Sequence, residues 1–339
     1  MSITTRARGV VLAGLSLSLV LSGCSSDDDN DGDSAGSSSS EGSSAFPVTI
    51  EHAYGETEIP EEPTRVVSLG YTEQDAILAF GVVPVAVRYA FGPEDDVFFP
   101  WADEAAGDAE PEILDRTEVS AEQIAALDPD LIMAVTAGLT EAEYDTLSGI
   151  APVVVQPEEY PAFGTPWQDQ TLITGRALGQ EERAEELVAE VEAQFEEARA
   201  AHPELEGKTV TLSGVAYEGE YPFHSSTDTR TQFFLDFGMV VAPQLDEIAG
   251  DEFYGTVSQE QADLLDADVL LWQSGSDEER AQIEGDPILN SIPAVAEGRA
   301  LFVEGSDYDA LQFASALSLP YLLESLVPKI SEIVTASAS

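Results

Sequence analysis

The apolar residues of this chain fall into short runs separated by longer stretches in which they recur every three or four positions, the alternation of buried strands with amphipathic helices. The opening runs, 48–52 and 56–59, flank a turn at Tyr54-Gly55 and predict a hairpin, closed by Pro60 and Pro63. Strands follow at 66–69, 82–88, 131–135 and 153–155, with helices at 72–80 and 121–127 between them. A helical block comes next: 168–178, closed by Gly179, then 181–201. In the second of these Ala184, Leu187, Val188, Val191, Phe195 and Ala198 form a narrow apolar stripe among glutamates. At 1.5 Å per residue it spans about 30 Å, and so thin a stripe suits a helix bridging two lobes. The alternation then resumes, with strands at 209–212, 269–272 and 300–303, a helix at 231–237, and a closing helical stretch at 310–326 interrupted by Pro320. Strands and helices at this spacing predict an α/β fold of two Rossmann-like lobes with central β-sheets, joined by one long bridging helix, with a ligand cleft between the lobes.

The two halves share an echo. Val119-Ser120-Ala121-Glu122-Gln123 leads through Leu127-Asp128-Pro129-Asp130 into the strand at Leu131. Val257-Ser258-Gln259-Glu260-Gln261 leads through Leu265-Asp266-Ala267-Asp268 into the strand at Val269. Ser120 and Ser258 are expected as helix N-caps, and Glu122 and Glu260 stand in first turns, where the helix dipole favours an anion. Capping accounts for each glutamate locally, but not for the same register once per half.

Charge changes the picture. The 339 residues hold 65 Asp and Glu against 13 Lys and Arg, a formal net charge of −52. Such a body repels phosphate backbones, so nucleic acid is not an expected partner. The acidity suits a solvated surface at high salt. It also makes every arginine in a predicted loop informative. The histidines, His52, His202 and His224, are scattered over different elements, so no metal site and no intrinsic cofactor are expected. The sequence holds no nucleophile elbow, phosphate loop or zinc-protease helix, and an exported lipoprotein enzyme stays only as the alternative of a different class.

Residues 1–23 read as a signal segment. Arg6 and Arg8 precede an uncharged apolar run from Gly9 to Leu21, too short to span a bilayer. The run ends in Leu21-Ser22-Gly23-Cys24, which resembles the lipobox of bacterial lipoproteins and implies a lipid on Cys24, the sole cysteine. Residues 24–45 are mainly Ser, Asp and Gly, an expected disordered linker. The lobes are expected at 46–165 and 204–335, with the helical region at 166–203.

Further stretches carry a family resemblance: Val48-Thr49-Ile50-Glu51-His52-Ala53-Tyr54-Gly55, Pro63-Thr64-Arg65-Val66-Val67-Ser68-Leu69, the two Ser-x-Glu-Gln helices before Asp-x-Asp, and Asn290-Ser291-Ile292-Pro293-Ala294-Val295 with Gly298-Arg299. In this order the chain resembles the substrate-binding lipoproteins of ABC importers for iron–siderophores, haem and cobalamin, its first third looking most like the ferric-siderophore branch. The resemblance implies an extracytoplasmic, membrane-tethered monomer with a shallow cleft that closes little. It also implies that Glu122 and Glu260 pair with arginines of the importer's permease subunits. A haem or cobalamin ligand remains the alternative, with Tyr221 and His224 close enough to supply a haem ligand.

Ligands of α/β sheets bind beyond the C-terminal strand ends. An anionic, partly aromatic chelate calls for guanidinium groups and ring faces there. Arg88 is the first candidate, followed by Tyr89; a surface salt bridge with Glu94 or Asp95 is the ordinary alternative. Trp101 and Trp272 are candidates that a core role would equally explain. Tyr217, Tyr221 and Arg230 lie in the expected loop after strand 209–212, with Arg230 alternatively paired to Asp228. Tyr308 is a loop aromatic near the expected cleft, and Phe163 and Trp167 are weaker candidates.

Overall fold

β1 (Val48–His52) and β2 (Gly55–Ile59) pair antiparallel, Val48 opposite Ile59, in the expected hairpin. A computed structural model describes residues 45–337, apart from 91–96, 118 and 313. The signal segment, Cys24, nearly all of the linker, and Phe91, Glu94 and Asp95 lie outside the described residues.

The first lobe is built on five parallel strands: β3 (Val66–Ser68), β4 (Ala86–Arg88), β5 (Glu112–Leu114), β6 (Leu131–Ala134) and β7 (Val153–Val155), in the order β5-β4-β3-β6-β7. The chain winds outward in both directions from β3 and β6, so the switch point lies between them, and a ligand site is expected beyond their C-terminal ends. β3, β6 and β7 are buried at every position, as sheets covered on both faces require.

The second lobe is mixed. β8 (Thr209–Ser213), β9 (Glu220–His224), β10 (Val240–Val241), β11 (Tyr254–Ser258), β12 (Val269–Gln273) and β13 (Ala300–Val303) form a sheet of order β11-β9-β8-β12-β13, with β10 also paired to β8. β8, β10, β12 and β13 run parallel, whereas β9 and β11 form an antiparallel ribbon at one edge. This ribbon corrects the sequence reading, which took the segment after β8 as a loop. Tyr221 and Phe223 alternate inward on β9 and are fully buried, while Glu220 faces out. The alternation was present in the sequence, but Pro222 and a short turn disguised it.

The bridging helix, Glu181–Ala201, has the expected bounds. Ala184, Leu187, Val191 and Phe195 are buried; Val188 and Ala198 only partly. Each large side chain of this stripe contributes about 1.5–3 kcal/mol. One apolar cluster runs through the helix, joining Val66, Leu131 and Met133 of the first sheet to Phe233, Phe237, Val269 and Leu271 of the second lobe. After β13 the chain forms helices Ser306–Gln312, Ser318–Ser325 and Val327–Ser337, not a single helical stretch. It returns there to the first lobe: Ser315 donates to Asp75 at 2.7 Å, and the Tyr321 ring sits 5.4 Å from that of Trp101.

The internal echo has a structural reason. Asp130 accepts the backbone N–H and hydroxyl of Thr64, both at 2.8 Å, just before β3. Asp268 accepts the same two groups of Thr209 at 2.8 and 2.9 Å, at the start of β8. Arg65 donates to the Leu127 carbonyl and Arg299 to that of Ala267. In each lobe an aspartate thus locks the N-terminal ends of the two central strands together, and an arginine adds a tie there, from the start of β3 in the first lobe and of β13 in the second.

Candidate ligand-binding cleft

A cavity of about 350 Å³ opens between the lobes, within the size range of small-molecule sites. The first lobe contributes Tyr71, which follows β3, and the loop from Pro161 to Gly164. The second contributes Asp228, Arg230, Phe253 and Gln312. The cavity stands where the switch point of the first sheet places it. Its aromatic wall is prebuilt: the Tyr71 and Phe163 rings stack 5.7 Å apart at 16°. Phe163 holds a left-handed backbone (φ 66°), uncommon for a bulky residue. Gly138 makes room for it, since a Cβ there would lie 2.3 Å from the Phe163 ring.

One arginine borders this cavity and two others lie near it. Arg88, at the end of β4, lies over the Tyr71 ring at 5.1 Å. It donates to the carbonyl of Arg116 at 3.0 and 2.7 Å and to that of Ala137 at 3.2 Å. It makes no salt bridge among the described residues, and its charge helps to lower the pKa of Glu143. Arg230 borders the cavity and is clamped by Asp228, with bonds of 2.8 and 2.7 Å. Sequence reasoning left Arg230 between ligand contact and pairing with Asp228; the structure has it doing the second while bordering the cavity. Asp228 also meets His224 Nδ1 at 3.1 Å, and His224 Nε2 meets Gln273 at 2.8 Å. Burial alone would raise Asp228, but Arg230 and then His224 hold it well below the usual carboxylate range. The third, Arg116, is exposed, and its guanidinium makes no ion pair among the described residues. It acts with Arg230 on the hydroxyl of Tyr308, whose pKa is raised chiefly by burial. Tyr308 packs on Gly275, where a Cβ would lie 3.2 Å from its ring.

Other expected site residues lie elsewhere. Trp272 is 2% exposed within β12, part of the second lobe's core. Tyr221 is fully buried and donates to Asp286 at 2.8 Å; burial, then that bond, pushes its pKa up. With Tyr221 turned inward and both ring nitrogens of His224 engaged, the pair offers no haem ligand. Tyr217 is 74% exposed in the β8–β9 connection, outside the lining of the inter-lobe cavity. Tyr89 is half-buried beside Arg88, and its N–H donates to Leu114. Trp101 donates to Asp75 at 2.7 Å and stacks on Phe99, a structural role between the first lobe and the C-terminal segment. Burial pushes Asp75 up to about 6, against the lowering effect of its bonds from Trp101 and Ser315. The nearby Glu73, buried under the cleft floor and bonded by the N–H groups of Val135 and Gly70, is pushed up to about 8 by burial.

Sequence reasoning missed Arg116 and Phe253. Arg116 follows β5, a three-residue strand too short to register, although the scarcity of arginine was signal enough to mark it. Phe253 precedes β11 and could be placed only with the ribbon.

Glu122 and Glu260 are both exposed in first turns, of helix Ala121–Ala126 and of the 3-10 helix Gln259–Leu265. The hydroxyl of Ser120 accepts the Gln123 N–H at 3.3 Å, the expected cap. That of Ser258 makes no such bond and donates to the Gln261 side chain. Neither glutamate takes part in a cap among the described residues. Both helices lead into the starts of β6 and β12, so their N-termini, and the glutamates, face the cleft side of each lobe.

A family model described as "Periplasmic binding protein" matches residues 68–304. The chain belongs to the periplasmic binding protein family. The probable siderophore-binding lipoprotein YfiY of Bacillus subtilis (strain 168) is 29% identical to this family member over 262 residues, 75% of each chain. A periplasmic solute binding protein from Mycobacterium smegmatis superposes with a TM-score of 0.77 at 38% identity, covering 85% of this chain and 98% of that one. Streptococcus pneumoniae PiaA in complex with ferrichrome gives 0.74 at 28%, covering 85% and 99%. The two-lobed architecture of this periplasmic binding protein is thus shared over the whole length of those structures.

Proposed function

We propose that this periplasmic binding protein captures a ferric siderophore outside the cell and delivers it to an ABC importer for iron uptake. The observation that carries the reading is Arg230 in the wall of one inter-lobe cavity together with Arg88 over the ring of Tyr71, which lines the same cavity. They are two of only 13 Lys and Arg residues in a chain of net charge −52. So acidic a protein repels anions in general, and a local cluster of guanidinium groups beside stacked rings selects a bulky anionic chelate. YfiY, named for siderophore binding, and PiaA, solved with ferrichrome, support the substrate class. Cys24 carries the lipid tether and residues 25–44 the spacer. Among the described residues no helix is long and apolar enough to cross a membrane. Glu122 and Glu260, one per lobe on the cleft side, meet the basic residues of the permease subunits.

Tryptophan fluorescence of the purified protein, titrated with ferric siderophores alongside hemin and cobalamin, tests the reading. Saturable quenching by a ferric siderophore is expected. A response to hemin or cobalamin alone, or to nothing in the panel with the protein shown to be folded, would refute it. For docking, Glu122→Ala with Glu260→Ala should leave chelate affinity unchanged while abolishing stimulation of the importer's ATPase. Unaltered stimulation would remove both residues from the interface.

A further inference from the structure

A second cavity of about 200 Å³ adjoins the first, and Phe163, Gly164, Thr227 and Thr229 border both. Its character differs. Where the outer cavity has Arg230 and rings, the inner one is walled by Thr165, Trp167 and Gln170 of the first lobe's exit and by Thr229, Gln232 and Asp236 of the second lobe. Thr165 and Gln170 are 4% and 3% exposed. Thr165 Oγ1, Trp167 Nε1 and Gln170 Nε2 have no hydrogen-bond partner among the described residues. Buried polar atoms without partners are rare in folded proteins, and three in one cavity wall point to a missing occupant. The indole N–H and the amide NH2 are donors only, so that occupant must supply acceptors.

Two further features narrow its chemistry. Helix Trp167–Ala177 begins at this wall with Pro166 at its N-cap, which has no side chain able to cap the first N–H groups. The positive end of the helix therefore also favours an acceptor oxygen. Asp236 is the one acidic residue that borders this chamber. A carboxylate or phosphate entering the chamber would meet that acidic residue, and no arginine borders the chamber to offset it. Donors without a countercharge select an acceptor that is dipolar and uncharged.

We propose that the inner chamber binds an uncharged carbonyl oxygen, that of an amide or ester arm of the chelate whose anionic head meets the arginines outside. This rests on the ferric-siderophore reading and deepens it. The ligand class is a chelate combining an anionic centre with neutral amide or ester arms, and simple carboxylate complexes of iron are discriminated against. The chamber is large enough for one arm and too small for the chelate core, and Phe163 stands at the boundary between the two compartments.

Isothermal titration of the purified protein tests this with the ferric complexes of a citrate bis-amide dihydroxamate, ferrichrome and a tris-catecholamide, and with ferric dicitrate, whose oxygens are carboxylate and hydroxyl only. At least one amide-bearing chelate should bind at least tenfold more tightly than ferric dicitrate. Gln170→Leu and Trp167→Phe, each shown folded by its melting temperature, should weaken that chelate about tenfold apiece, the effect of one buried hydrogen bond lost. Ferric dicitrate should change less than twofold. Affinities within twofold in both variants would mean that the chamber holds only water and would overturn the inference while leaving the siderophore reading intact. Ferric dicitrate binding tightest, or weakening equally in the variants, would overturn it as well. Failure of all four chelates to bind would defeat the siderophore reading itself, and the chamber's assignment with it.

Discussion

Two buried aspartates, one in each lobe, receive bonds of the same length and respond in opposite directions. Asp75 takes 2.7 Å bonds from the Trp101 indole and the Ser315 hydroxyl, and its pKa is pushed up to about 6. Asp228 takes a 2.7 Å bond from Arg230 and a 3.1 Å contact from His224, and is held well below the ordinary range. Neutral donors satisfy an oxygen but return little of the hydration energy lost by a buried charge, whereas a guanidinium supplies an opposite charge as well. Asp75 therefore pins the C-terminal segment to the first lobe at a cost that depends on pH. Asp228 instead holds an arginine in place at the mouth of the cleft, and in doing so absorbs most of its charge. Arg88, by contrast, donates to carbonyls and lies over a ring, with no salt bridge among the described residues.

The largest expected effect is on the second of these aspartates. Asp228→Ala leaves Arg230 and His224 without their buried partner and should lower unfolding stability by about 3–5 kcal/mol in urea denaturation. A loss under 1 kcal/mol would mean that the clamp is not a structural element. Next comes the pH response of Asp75. Because its folded pKa lies above its unfolded one, the folded state holds the extra proton. Stability is greatest below about pH 4 for this group and is lost as pH rises through about 6. The shift of roughly two units amounts to about 3 kcal/mol. Asp75→Asn should flatten the stability profile between pH 4 and 6, leaving a slope up to about pH 8 that belongs to Glu73. An unchanged profile in the variant would contradict the assignment.

Arg88→Ala should weaken an anionic ferric siderophore about thirtyfold, the effect of losing a charged hydrogen bond of about 2 kcal/mol, with stability nearly unaltered. Equal binding by variant and parent would shift recognition to the other arginines. The smallest effect is expected at Trp101→Phe. It removes one donor from Asp75, costing about 1 kcal/mol and moving the titration of Asp75 upward, and chelate affinity should stay within twofold. A large loss of affinity would restore Trp101 to the binding site, from which its bond to Asp75 has removed it.

Strands and helices with a strong period were legible: the bridging helix from Glu181 to Ala201 and β13 match the sequence reading residue for residue. So was the echo between halves, whose Asp130 and Asp268 turn out to lock central strands. Strands of two or three residues, such as β5 and β10, carry too few positions to show a period. β9 and β11 owe their pairing to each other. Within the cleft, scarcity of positive charge singled out Arg88 and Arg230. The aromatic candidates divided by burial, a property that no local pattern encodes for a residue at a strand's edge.

What the sequence by itself determined is the class of molecule and its chemistry: two α/β lobes on one long helix, an acidic surface, and arginines too few to be incidental. Periodicity and composition suffice for these, because each is a sum over many residues. Only the tertiary structure decided which side chains share the cleft. Tyr71, Phe163, Arg230 and Phe253 come from segments up to 182 positions apart (71 to 253). It also decided in which direction the pKa of each of two buried aspartates moves, and which donors lack partners. Those properties depend on the solvent excluded and the opposite charge supplied by residues remote in the chain.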